Sequence, residues 1–198
     1  MSNQRLTGVV LAVLIIGGCG KTVDQPPAAA PVPVSAPVVS AAQPIPTVFE
    51  TMERVVVPTS KALWDVSNTK QDDNGNVDAS KVTDADWKQV EDAATQMKAA
   101  AETLASATHI VVAPPGVAIH DEGTPDGSSA KQVQGFIDAD PAAFAAYAKA
   151  LAASGEAIRQ AAATRNAMQF GDEAGKLDGV CEQCHVKFWY PQQMASKK

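Results

Sequence analysis

The chain has 198 residues, of which 19% are charged and 5% aromatic, and its formal net charge at pH 7 is −6. This acidic balance gives a nucleic acid no electrostatic reason to bind, so nucleic-acid recognition is excluded. Once the N-terminal segments described next are set aside, about 150 residues remain, which is enough for one hydrophobic core.

Residues 1–18 have the composition of an export signal. Arg5 is followed by an apolar stretch, residues 6–16, that is too short to span a bilayer as a stable helix. The segment ends in Ile16-Gly17-Gly18-Cys19, which resembles the lipobox of bacterial lipoproteins. This resemblance implies cleavage before Cys19 and acylation of that residue. The alternative is an ordinary signal peptide in which Cys19 has no special role.

Acyl chains on Cys19 predict a protein anchored to a membrane. We therefore expect a periplasmic location, on a membrane of a Gram-negative bacterium. Gly20 stands where an acidic residue commonly signals retention at the inner membrane, which favours the outer membrane.

Residues 19–46 are predicted to contain the lipid attachment site and a tether rich in Pro and Ala. The stretch from 25 to 46 contains seven of the 13 prolines. Proline lacks a backbone donor and holds the chain near polyproline II, so no helix is expected there. The folded domain is predicted to span residues 47–198.

The first helical pattern of this domain places apolar residues at three- and four-residue spacing. Its members are Val48, Phe49, Met52, Val55, Val56, Leu63 and Val66. Pro58 falls inside the pattern, and a proline at such a position removes a hydrogen bond and crowds the preceding turn. We expect the helix to kink or split there.

Two further helices are predicted on either side of a long connection. The first of them begins at Thr83 or Asp84 and has Asp86 behind its cap, and the other begins at Asp140 with Pro141 in its first turn. Their repeating positions are Trp87, Val90, Ala94, Met97, Ala101, Leu104 and Thr108, and Phe144, Tyr147, Leu151, Gly155, Ile158 and Ala162. Residues 111–129 between them are rich in Gly and Pro, which is typical of a surface loop.

After a break at residues 164–166, a last helical pattern contains Phe170, Ala174, Leu177, Cys181, Cys184 and Phe188. Four amphipathic helices without strand patterns predict an all-α fold, an antiparallel four-helix bundle. The two cysteines are predicted on the buried stripe of the last helix, where bundles build their cofactor sites.

The stretch Cys181-Glu182-Gln183-Cys184-His185 is typical of covalent haem attachment. On a helix, positions i, i+3 and i+4 share a face, so two thiols can add across the vinyl groups while the imidazole ligates the iron. A zinc half-site and a thioredoxin-like redox pair are the alternatives. A second cysteine pair for zinc is missing, since the third cysteine is Cys19, and no βαβ pattern surrounds this pair.

Four helices with this motif in the last of them resemble the cytochrome c′ superfamily over residues 47–191. The stretches 51–58, 62–65, 86–87 and 184–189 are also similar to a branch of it found in proteobacteria. The resemblance implies one haem c, thioethers at Cys181 and Cys184, and His185 as an axial iron ligand. An Arg shortly after His185, found in better known members, is absent from this chain.

The superfamily takes its sixth iron ligand, when it has one, from the first helix, and Met52 is the methionine there. Met52 also fits a packing role, because it lies on the apolar stripe. Met97 on the second helix competes with it, whereas Met168 and Met194 are poorly placed. His109, at the end of the second helix, is better explained by complementing the helix dipole, and His120 is expected in an exposed loop, although either could complete a bis-His iron.

A ligating Met52 implies a low-spin iron and a carrier of single electrons between redox partner proteins. If Met52 only packs, the iron is five-coordinate and the protein binds nitric oxide or another diatomic gas. An enzyme is not expected, because few acid or base groups accompany the first helix. Pairing of two copies into a homodimer is left open by the sequence.

Overall fold

The computed structural model describes residues 46–192, which belong to one compact unit. Cys19, most of the proposed tether and Met194 lie outside this range. Within it the chain is all-α, as predicted. The helices are α1 (residues 48–69), α2 (Asp84–Ser106), α3 (Ala130–Ala139), α4 (Pro141–Ala163) and α5 (Ala167–Phe188). Among the described residues, no helix is both long enough and apolar enough to cross a bilayer.

Helix α1 changes its hydrogen-bond pattern just before Pro58. It runs as an α-helix over Val48–Thr51, as a π-helix over Met52–Val56 and as an α-helix again over Val57–Thr69. The Val57 N–H donates to the Met52 carbonyl, five residues earlier. Because Pro58 has no N–H to give to the turn before it, the wider turn accommodates the missing bond. The split expected at this proline therefore takes the form of a π-helical turn.

The predicted helix boundaries are explained by side-chain caps. Thr83 caps α2 in a capping box with Asp86, Asp140 caps α4 through its bond to the Ala143 N–H, and Asn166 caps α5. The break at 164–166 contains Arg165 in the left-handed region, with φ 51°. These positions match the predicted starts, but α2 ends at Ser106, so Thr108 lies beyond the helix rather than on its stripe.

Helix α3 was not expected from the sequence. Ser129 caps it in a capping box with Gln132, and Val133 and Ile137 are buried one turn apart. The helix is short, and Asp140 ends it while also capping α4. The helix has ten residues, and its two buried apolar residues are too few to establish a helical repeat in the sequence.

The long helices pack around a common core. Helix α1 contacts α2 and α5, and α4 contacts α2 and α5. The backbones of α2 and α4 come close at Gly155, where an added Cβ would lie 3.1 Å from the carbonyl oxygen of Ala94. The core divides into two clusters of buried residues, one around Leu63, Met97 and Phe170 and the other around Ile137 and Phe188. The candidate site lies where these two clusters meet.

Candidate functional site

A cavity of about 520 Å³ lies between α1, α4 and α5. This volume falls within the range of about 300–1,000 Å³ that is usual for ligand and cofactor sites. Its wall is mainly apolar and aromatic and includes Phe49, Val56, Trp64, Leu104, Phe144, Tyr147 and Leu151. Such a lining favours an apolar ligand over a hydrophilic one.

Cys181, Cys184 and His185 all line this cavity and are half-buried. They lie on the continuous helix α5, so the i, i+3, i+4 spacing places them along one face as predicted. Cys181 packs against the first core cluster and Cys184 against the second. The motif therefore borders the cavity at the junction of the two halves of the core.

The two thiols are not joined in a disulfide. Burial raises the pKa of Cys181 to about 11 and that of Cys184 to about 12. Redox-active C-x-x-C pairs have the opposite property, a lowered thiol pKa that supplies the reactive thiolate. The burial of this pair therefore disfavours the thiolate form.

The backbone carbonyl of His185 accepts two hydrogen bonds at the end of α5. The N–H groups of Trp189 and Tyr190 donate to that carbonyl at 2.6 and 2.8 Å. The rings of the same two residues flank the imidazole, each with its centroid 6.4 Å away. Burial lowers the pKa of His185, which favours the neutral imidazole that a metal ion requires.

Met52 lies on the part of the cavity wall that α1 contributes. It begins the π-helical turn, is half-buried, and packs against both core clusters. Met97, in contrast, is 0% exposed within the first cluster and does not line the cavity. Met168 is 72% exposed and lies on a separate surface hollow. Of the described methionines, Met52 is thus the one on the same cavity as the motif.

The two candidate histidines are placed differently. His109 is exposed beyond the end of α2 and borders a separate hollow beside Pro46 and Val48. His120 lines the cavity, although its side chain is 71% exposed, and its Nε2 lies 3.0 Å from Oε1 of Glu53. His120 is therefore at the edge of the cavity and tied to α1.

The tryptophans, Phe188 and Tyr190 divide into two groups by their relation to the cavity. Trp64, Trp189 and Tyr190 line it, whereas Trp87 and Phe188 are buried in the core clusters. The polar edge of each lining residue has a partner. Trp64 Nε1 donates to the Ala174 carbonyl at 3.0 Å, Trp189 Nε1 to the His120 carbonyl at 3.5 Å, and the Tyr190 hydroxyl to Asp121 at 2.7 Å.

The hydrogen bonds of His120 and Asp121 to Glu53 and Tyr190 were not predicted from the sequence, which indicated a surface loop with His120 as a possible iron ligand. The length of that connection was the available signal, because loops of more than about 12–15 residues are commonly functional. The left-handed backbone of Asp121, with φ 61°, marks the same place in the structure.

The residues on this wall fit haem c. A pair of thiols, a neutral imidazole and a thioether border a single apolar cavity. No group of three or more His, Cys, Asp or Glu side chains suited to a metal ion occurs among residues 46–192. A haem iron does not depend on such a group, since the porphyrin supplies four nitrogen ligands.

Comparison of the chain with protein-family models, with curated proteins and with solved structures gave no match. The assignment of a function therefore depends on the chemistry of the cavity.

Proposed function

We propose that this protein is a periplasmic c-type cytochrome that carries single electrons. The observation that carries the proposal is that Cys181, Cys184, His185 and Met52 line one apolar cavity. When bound, haem c supplies an iron atom that accepts and releases one electron. The function also requires partner proteins that deliver and remove that electron.

In this proposal α1, α2, α4 and α5 form the four-helix bundle of a cytochrome c′-like protein. The contacts of α1 and α4 with both α2 and α5 support that arrangement. Helix α3 and residues 107–129 are then additions to the bundle. The last helix, with its motif at residues 181–185, resembles that of the cytochrome c′ superfamily, which supports the same assignment.

Each residue has a distinct part in holding the cofactor. Cys181 and Cys184 fix it to α5 through thioether bonds, and His185 presents a neutral imidazole to the iron. Met52 offers its sulfur from α1. The apolar wall around Phe49, Val56 and Leu104 lowers the polarity around the cofactor, which is one of the factors that set the reduction potential of a haem iron.

Absorption spectra of the purified protein in its oxidised and reduced states test this function. We expect low-spin spectra in both states and a reversible one-electron titration. The Met52→Ala variant should lose the band that arises from thioether-to-iron bonding. A high-spin ferrous protein that binds carbon monoxide at once, unchanged by the substitution, would instead assign the protein to gas binding.

We also propose that lipid on Cys19 anchors the protein to a membrane, most consistently the outer membrane. Fractionation of cells that produce the Cys19→Ala variant tests this part separately. The variant should leave the membrane fraction while keeping its haem. Retention in the membrane fraction would contradict the lipid anchor without affecting the proposal for the cavity.

A further inference from the structure

His120 and Asp121 form hydrogen bonds to two segments of the cavity wall, helix α1 and the residues that follow α5. The His120 Nε2 lies 3.0 Å from Oε1 of Glu53, which directly follows Met52 in α1. Asp121 Oδ2 accepts a hydrogen bond of 2.7 Å from the Tyr190 hydroxyl, close behind His185. Adjacent residues of one loop are therefore bonded to both ligand-bearing elements.

The Tyr190 end of this connection reaches His185 directly. The Tyr190 N–H donates to the His185 carbonyl at 2.8 Å, and its ring stands edge-on to the imidazole at 85°. The neighbouring Trp189 donates its Nε1–H to the His120 carbonyl at 3.5 Å. The two residues that follow α5 therefore bond to both His120 and Asp121.

Ile119, the residue before His120, anchors this part of the loop in the core. Ile119 is 4% exposed and packs in the second core cluster. Its N–H donates to a carboxylate oxygen of Glu122 at 3.1 Å. Asp121 has a φ of 61°, in the left-handed region that Asp adopts readily in turns.

On the basis of the proposed function, we propose that His120 and Asp121 are positioning residues that hold the Met52 segment and the His185 segment at a fixed separation. By doing so they keep the Met52 sulfur at the iron and restrict the entry of other small ligands. Their action is indirect, since neither residue is assigned to the iron itself.

The rate of carbon monoxide binding to the reduced haem protein tests this inference, because the gas must displace the Met52 sulfur. Tyr190→Phe and His120→Ala each remove one of the two connections and should raise the rate. Hydrogen bonds to charged groups are among the stronger ones, so the loss of both bonds in the double variant should raise the binding rate about tenfold.

Asp84→Asn is the matched control, since it weakens the ion pair with Arg165 on another part of the surface. It should leave the rate unchanged. Hydrogen exchange provides a second measurement, in which the amides of residues 48–56 should exchange faster in the double variant than in the control. Haem-bearing variants with the unaltered binding rate and unaltered exchange would overturn the inference alone. Protein purified without haem, or unaltered protein that binds the gas at once, would overturn the proposed function and the inference together.

Discussion

Substituting Met52 and Met97 separates iron ligation from packing. Met97 is 0% exposed in the core, so Met97→Ala should lower the free energy of unfolding by about 2–5 kcal/mol. Met52 is half-buried, and its packing contribution is correspondingly smaller, about 1–2 kcal/mol. On packing alone, Met97 is therefore the more important of the two residues. The proposed function requires the reverse order for the absorption spectrum.

Leucine makes the comparison sharper, because it nearly preserves the volume of methionine and removes only the sulfur. Exchanges of this kind usually cost less than about 1.5 kcal/mol. Met52→Leu should therefore abolish the thioether-to-iron band with little loss of stability, and Met97→Leu should change neither property greatly. Spectra and urea unfolding curves of the same four variants provide the measurement.

The reasoning is refuted if Met97→Leu alters the spectrum while Met52→Leu does not. It is also refuted if all four variants keep the spectrum of the unaltered protein. In the second case neither Met52 nor Met97 ligates the iron, and carbon monoxide binding by the reduced protein then separates the gas-binding alternative from a bis-His iron.

Three further predictions concern the scaffold. Gly155→Ala places a Cβ 3.1 Å from the Ala94 carbonyl oxygen and should destabilise the protein by about 1–3 kcal/mol. Gly179→Ala, with nothing within 4 Å of its Cβ, should instead stabilise it by about 0.5–1 kcal/mol. Thermal or urea unfolding measures both effects. Pro58→Ala restores a backbone donor, so residues 52–56 should return to α-helical bonding and turn Met52 away from the cavity; the spectral band should weaken with no loss of stability, and an unchanged band would contradict the role given to the π-helical turn. Hydrogen bonds from Arg159 and Gln160 lower the pKa of Glu156 from 4.5 to about 2, so the stability they provide is present above pH 4.5 and is lost as the pH falls toward 2. Glu156→Gln should flatten that part of the pH profile, and equal slopes for the two proteins would show that the carboxylate has no such effect.

The parts of the fold that depend on local chemistry could be predicted from the sequence. Thr83 and Asp140 carry their capping partners within three residues, so the starts of α2 and α4 could be placed. The 3–4 spacing of Val90, Ala94 and Met97 likewise indicated which face is buried, and all three are. These features need no knowledge of how the helices pack.

Features that depend on distant contacts could not be predicted in this way. His120 and Glu53 are 67 residues apart, and Tyr190 and Asp121 are 69 apart, so no local period connects them. The proline did indicate a disturbance in α1, but not that the disturbance is a π-helical turn beginning at Met52. Within the candidate site, the motif was therefore predictable and its enclosure was not.

Covalent attachment of one haem is the central claim, and the mass of the denatured protein tests it most directly. The protein should be produced in cells that can attach haem c, then denatured and extracted to remove any cofactor that is not covalently bound. We expect the mass of the chain plus one haem, with partial or complete loss of that addition in Cys181→Ala and Cys184→Ala. An unaltered protein with the mass of the bare chain would contradict the account.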